Sequence, residues 1–325
     1  MDPTPRTVTA EDGTDLRLWS IGGGRVDDEM DAEARAAAAG TEAVLFVHGA
    51  TYPGRAVFAP APAYSWLAAT AESGREAFAL DVRGYGESDP PARLEAEPGE
   101  TEPPARADAA TLDIRAALSS LEHDRVHLVG YSWGTVIAGK LLAAPDAPEV
   151  ASYTAFAPVF RLSEARAADF DLGDPPRPAR VVTRSEARER WESQFPEGTD
   201  PSAWRDGAAF RAFWDAVHDS NQGLHGTEDA AIRAPNGTLV DLRRTVDEAP
   251  YDPGAVDVPT LVVRGSNDPT ATRDDALGLY DALGDPRRYV ELAGGTHFMP
   301  LEHRRDELYA TLNGFLDGLA DDWTE

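Results

Sequence analysis

A serine hydroxyl becomes a useful nucleophile only when a base takes its proton and an acid orients that base. One serine of this chain stands in a setting made for that chemistry. Residues 126–140 read VHLVGYSWGTVIAGK. Val126, Leu128 and Val129 form a short apolar β-type run, Gly130-Tyr131-Ser132-Trp133-Gly134 ends it, and the small residues Thr135 to Gly139 begin a helical run at once. Strand, G-x-S-x-G and helix in succession are the context of a nucleophile elbow. In that setting the Ser132 hydroxyl stands clear of the sheet, above the N-terminus of the helix that follows. Gly130 and Gly134 fall where strand and helix pass too close for a Cβ.

The partners of such a serine follow it in the order Ser, then Asp or Glu, then His. Asp268 lies just past the apolar run 260–264, where side chains gather at the carboxyl edge of a parallel sheet. His297 lies beyond the run RRYVELAG (287–294), in a Gly-rich loop that lets an imidazole reach the same edge. Alone, Asp268 before Pro269 can cap a helix, and His297 can be an ordinary loop histidine. Their order at the ends of successive strands makes Ser132, Asp268 and His297 the expected catalytic set. An oxyanion hole needs two backbone N–H groups aimed at the developing alkoxide. Trp133, directly after the serine, supplies one. The loop His48-Gly49-Ala50-Thr51 supplies the other, from Ala50, with Thr51 second. His48 is expected to tie that loop down. His123, His127 and His303 are assigned to packing or surface, while His218 and His225 are candidates to line a pocket.

These residues need a scaffold that brings three distant loops together. The runs AVLFVH (43–48) and FALDV (78–82) are continuously apolar, the pattern of strands buried on both faces of a parallel sheet. Two strands around a turn at Asp12-Gly13 precede them, and residues 22–40 read as a loop or short surface helix. Helices are predicted near 63–73, 107–122, 271–283 and 302–319, with further strands at 152–157 and 259–264. Strands alternating with helices over short connections give a doubly wound parallel sheet. Residues 159–250 differ: buried-strand runs vanish, and Trp191, Phe195, Trp204, Phe210, Phe213 and Trp214 recur at helical spacing among charges. This predicts a helical cap within an α/β core formed by residues 1–158 and 251–325.

The 325 residues carry a formal net charge of −27, and Lys140 is the sole lysine. So acidic a chain repels nucleic acid and anionic membrane, so neither is an expected partner. Dense carboxylates with almost no lysine resemble proteins of salt-accumulating halophiles, where salt screens self-repulsion to a Debye length of about 3 Å at 1 M. No cysteine is present, which removes disulfide and thiolate chemistry. The N-terminal MDPTPRTVTAEDGT is neither apolar nor basic, and no apolar run approaches the roughly 18 residues that span a bilayer. A soluble, cytoplasmic protein is expected. No His/Asp/Glu cluster has ligand spacing, so no cofactor or metal is expected.

VHGA at 47–50, DVRGYGES at 81–88, GYSWG at 130–134, RGSND at 264–268 and GTHF at 295–298 together resemble the α/β-hydrolase superfamily. The resemblance spans roughly residues 40–157 and 251–320. It implies an eight-stranded, mostly parallel sheet flanked by helices, a lid after the sixth strand, and a substrate pocket between the two. Dehalogenases and epoxide hydrolases of this fold carry Asp at the elbow, whereas Ser132 stands here, which favours acyl transfer. Prolyl aminopeptidases share a Trp after the serine but usually carry HGGPG where this chain has HGATYPG. Lipases commonly keep a larger apolar lid. The expected function is hydrolysis of a small-to-medium carboxylic ester through an acyl-enzyme on Ser132. C–C bond hydrolysis, aminopeptidase action and incidental perhydrolysis remain alternatives on the same triad, and a non-catalytic ligand-binding protein is a further one.

Overall fold

A computed structural model describes residues 1–22, 42–226 and 229–322. Beyond Gly22, the loop or helix expected over 22–40 lies outside the described residues. The main sheet is built from β1 (Thr4–Thr9), β2 (Asp15–Ile21), β3 (Glu42–Val47), β4 (Glu76–Asp81), β5 (Arg125–Tyr131) and β6 (Ser152–Phe156). After an intervening segment that holds β7 (Ala179–Thr183), β8 (Gly223–Leu224) and β9 (Ala231–Pro235), it is completed by β10 (Thr260–Gly265) and β11 (Arg287–Leu292). The order across the eight-stranded sheet is β1-β2-β4-β3-β5-β6-β10-β11. Only β1–β2 and β2–β4 pair antiparallel; from β4 to β11 every pairing is parallel.

The continuous apolar runs follow from that placement. In β3, Val44 and Phe46 bury on one face, and Ala43, Leu45 and Val47 on the other. Alternate residues of a strand face opposite sides, and here helices cover both. Helices Trp66–Glu72 and Arg305–Asp322 pack on the Phe46 face through Leu67, Leu308 and Leu312. Helices Ala107–Ser119, Trp133–Leu142 and Arg273–Ala282 pack on the Leu45 face through Ile114, Ile137 and Leu279.

Residues 159–250 run from β6 to β10 and are not purely helical, which corrects the expectation of a helical cap. Helices Glu164–Ala168, Arg184–Glu192, Gly207–His218 and Gly237–Arg244 are joined by a small antiparallel sheet of order β7-β9-β8. The sequence hid this sheet because β7, ARVVT, has no fully buried position and β8 has two residues. A half-exposed strand leaves no apolar run to read. The aromatic spacing coincides with one of these helices. Phe210, Phe213, Trp214 and Val217 form the buried stripe of helix Gly207–His218 and join the apolar cluster that contains Phe46 and Trp66 of the main domain.

Candidate active site

β5 delivers Ser132 at its carboxyl end. The residue has φ 55° and ψ −120°, a left-handed conformation that a serine adopts only under tertiary constraint. The constraint is visible on both sides. Ser132 N–H donates to Phe156 O at 3.0 Å, and Ser132 O accepts from Thr135 N at 2.9 Å and Thr135 Oγ1 at 2.6 Å. A Cβ on Gly134 would lie 2.4 Å from Val47 O, so helix and strand approach closely only because glycine stands there. Gly49 is required for a related reason, since its Cβ would meet Ser132 Cβ at 2.9 Å.

Asp268 and His297 arrive from the loops after β10 and β11. His297 Nε2 is 3.0 Å from Ser132 Oγ, and His297 Nδ1 is 2.7 Å from Asp268 Oδ2. A carboxylate only accepts, so Nδ1 carries the proton and Nε2 presents its lone pair to the serine hydroxyl. The other carboxylate oxygen, Oδ1, accepts from Thr270 N at 2.8 Å and Ala271 N at 2.9 Å, which fixes the group on its turn. The next helix is capped by Thr272 instead, in a reciprocal bond with Asp275. All three side chains are buried, with Ser132 5%, Asp268 3% and His297 3% exposed. The imidazole packs against the Tyr131 ring, 4.9 Å between centroids, and Tyr131 Oη donates to His297 O at 2.8 Å.

The loop 48–52 forms the facing wall. His48 Nδ1 donates to Gly49 O at 2.8 Å and Nε2 accepts from Val82 N at 3.0 Å, so the buried ring ties the loop to the end of β4. Burial pulls His48 down to about 4, which keeps it neutral. The Ala50 carbonyl is pinned by Tyr85 Oη at 2.8 Å, by Thr238 Oγ1 at 3.3 Å and by Arg180 Nη2. The Ala50 N–H donates to no acceptor among the described residues. Trp133 opens its helix, so its N–H lacks an intrahelical acceptor. The sequence DVRGYGES is accounted for by this loop. Arg83 binds Asp113 (Nε–Oδ1 2.8 Å) and so places Tyr85 against Ala50, while burial raises Asp81 to about 6 as it accepts from Trp19 Nε1 at 2.9 Å.

A cavity of about 410 Å³ opens above Ser132 and His297. Its near wall is Gly49, Ala50, Thr51, Tyr52 and Phe298; its far wall comes from residues 169–190 and from Leu239 and Leu242. His218 and His225, expected as pocket-lining candidates, lie elsewhere: their rings meet each other at 5.0 Å and touch none of this cavity. Sequence reading missed the contacts that tie the intervening segment to the histidine loop. Gln194 Oε1 accepts from His297 N at 2.9 Å, and Trp191 stacks on Phe298 at 4.7 Å. Trp191 Nε1 also donates at 2.9 Å to Glu302, which accepts from Thr296 Oγ1 at 2.5 Å and Thr296 N at 3.4 Å as well. Burial raises Glu302 above the usual carboxylate range. Trp191 was visible as one of the periodic aromatics; Gln194 and Glu302 gave no signal.

The comparisons with known proteins fit this geometry. The model of the Alpha/beta hydrolase family matches residues 44–311, most of the chain. The chain belongs to the alpha/beta hydrolase family. Among solved structures, the hydrolase fold of this chain is similar to an esterase from Exiguobacterium antarcticum, with TM-score 0.64 and 19% identity over 97% of this chain and 100% of that one. It is also similar to a bromoperoxidase from Bacillus anthracis, with TM-score 0.66 and 17% identity over 97% of this chain and 100% of that one. Identities this low speak for the fold. Epoxide hydrolase 4 of Mus musculus is 39% identical over 77 residues, 23% of this alpha/beta hydrolase. The match spans only 19% of the mouse protein. Among the described residues no helix is long and apolar enough to cross a membrane, and no group of three His, Cys, Asp or Glu could hold a metal ion.

Proposed function

We propose that this protein is a serine hydrolase of the esterase type. The observation that carries the reading is the continuous chain Ser132 Oγ, His297 Nε2, His297 Nδ1, Asp268 Oδ2, with steps of 3.0 and 2.7 Å. Ser132 Oγ attacks the ester carbonyl while Nε2 accepts its proton. The imidazolium is stabilised by Asp268, and the oxyanion is held by the N–H groups of Ala50 and Trp133. Collapse of the tetrahedral intermediate expels the alcohol, which takes the proton from Nε2. A water then repeats the sequence on the acyl-enzyme, frees the acid and restores the serine. A mostly apolar near wall suits a small-to-medium substrate.

The test is hydrolysis of p-nitrophenyl acetate and butyrate by the wild type and Ser132→Ala. The carboxylate-rich surface, read as halophilic, calls for about 2–3 M KCl to screen its self-repulsion. The variant is expected to lose activity by about four orders of magnitude or more with unchanged circular dichroism. Wild-type turnover that survives in the folded variant would exclude Ser132 as the nucleophile. A folded wild type that turns over neither ester would move the reading to the C–C and peptide-bond alternatives.

A further inference from the structure

The far wall of the cavity holds two cations with no anionic partner. Arg180 sits inside, its Nη1 on Pro235 O at 2.7 Å and Asn236 Oδ1 at 3.1 Å, its Nη2 on Ala50 O and on Thr51 Oγ1 at 2.9 Å. All four acceptors are neutral, and no carboxylate lies within ion-pair distance among the described residues. Arg190, on helix Arg184–Glu192, lines the same cavity, and its guanidinium makes neither a hydrogen bond nor an ion pair with any described residue. In a chain with 57 acidic and 30 basic residues, Arg180 is half-buried without a carboxylate, while Arg190 is exposed and its guanidinium is open to a ligand.

A third group points the same way. The Tyr52 hydroxyl is buried and has no hydrogen-bond partner, a condition that costs about 1–3 kcal/mol when nothing else supplies one. The charges of Arg190 and Arg180 act on it, against the upward push of burial on its ionisation. Arg190 acts on the Tyr131 hydroxyl beside His297 as well. Of the cavity's own carboxylates, Glu186 acts on the Tyr52 hydroxyl in the opposite sense, more weakly than either arginine. Asp171 is bound to Arg177 at 2.7 Å, Glu186 accepts from Thr183 N at 2.7 Å, and these two, Asp169 and Arg190 are all exposed at the mouth.

We propose that Arg190, backed by Arg180 and the free hydroxyl of Tyr52, takes a carboxylate of the substrate, so that the preferred substrate is an ester whose acyl chain ends in a free acid, a hemiester of a short dicarboxylic acid. A guanidinium binds a carboxylate through directed, charge-assisted bonds. Water screens part of that contact at the exposed Arg190, while the half-buried Arg180 and the buried Tyr52 hydroxyl lie where screening is weaker. This rests on the Ser132 esterase reading and names its substrate class.

The experiment compares kcat/KM for p-nitrophenyl hemiadipate with that for its neutral methyl ester, enzyme-free rates subtracted. The enzymes are the wild type, Arg190→Gln, Arg190→Lys, Tyr52→Phe and the control Arg188→Gln on the same helix. The wild type is expected to favour the acid by about 10-fold or more, and Arg190→Gln to bring the ratio near one. Arg190→Lys should keep part of the preference, Tyr52→Phe should lower it a few-fold, and Arg188→Gln should preserve it. A wild-type ratio of one or below overturns the proposal, as does a preference that survives in Arg190→Gln. If the wild type hydrolyses neither ester, the esterase reading fails by itself. The subsite is then decided by titrating tryptophan fluorescence with adipate: saturable binding lost in Arg190→Gln supports it, and no binding overturns it.

Discussion

At the carboxyl edge of the main sheet, Ser132 and the loops of Asp268 and His297 are held chiefly by backbone hydrogen bonds, close glycine contacts and strands whose side chains bury on both faces. Across the cavity, the segment 159–250 is held chiefly by side chains. Arg166 binds Asp275, Arg180 binds the Ala50 carbonyl, Gln222 Nε2 donates to Thr51 O at 3.2 Å, and Gln194 and Trp191 grip the histidine loop. The first arrangement is rigid and tolerates little substitution; the second offers a wall whose chemistry can change without unmaking the sheet. The proposed reacting groups sit on the sheet side, and the cavity cations Arg180 and Arg190 sit on the other.

The sharpest way to break the sheet side is Asp268→Asn. Its Oδ1 already accepts from Thr270 N and Ala271 N. The amide oxygen would keep those bonds and turn the NH2 group toward His297 Nδ1. The imidazole would then carry its proton on Nε2 and have no lone pair for Ser132. A fall in kcat of about 10⁴-fold with an unchanged unfolding midpoint is expected; steady-state rates and urea melts on one preparation check both parts.

A smaller effect on the same side concerns His48. Its folded pKa, about 4, lies below the unfolded value of 6.5. The neutral ring therefore contributes stability that is fully present above pH 6.5 and is lost as pH falls through about 4. The stability advantage of wild type over His48→Gln is expected to shrink by about 3 kcal/mol between pH 7 and pH 4. Urea unfolding across that range measures it, and a pH-independent difference would mean that the ring is not held neutral by burial.

The smallest effect sits on the far side and tests whether that wall merely covers the site. Gln194→Ala removes the acceptor of His297 N. If the segment positions the histidine loop, kcat should fall about tenfold with KM for a small ester unchanged, and Gln194→Glu, which keeps an acceptor, should recover most of the rate. A change in KM alone would leave the segment as a substrate wall with no hold on the imidazole.

Legibility in the sequence follows the same division. The strands AVLFVH and FALDV and the elbow at Ser132 could be read because each depends on neighbours a few residues away, such as apolar runs and glycines, while Asp268 and His297 were picked by their order after the serine and their place at strand ends. β7 and β8 could not, since half-exposed short strands carry no run. His218 and His225 drew attention by residue type and proved to face each other. Gln194, Glu302, Arg180 and Arg190 were overlooked because an Arg, Gln or Glu among many is unremarkable until its partner is known.

The sequence by itself determined the sheet, the elbow and the order of the groups that meet there, because burial pattern and chain direction are local properties. Tertiary structure alone decided which surface of residues 159–250 closes the site. The bonds that decide it join residues far apart in the chain, as Gln194 to His297, Trp191 to Glu302 and Arg180 to Ala50 do. No spacing along a chain encodes a contact made only when two separately folded surfaces meet.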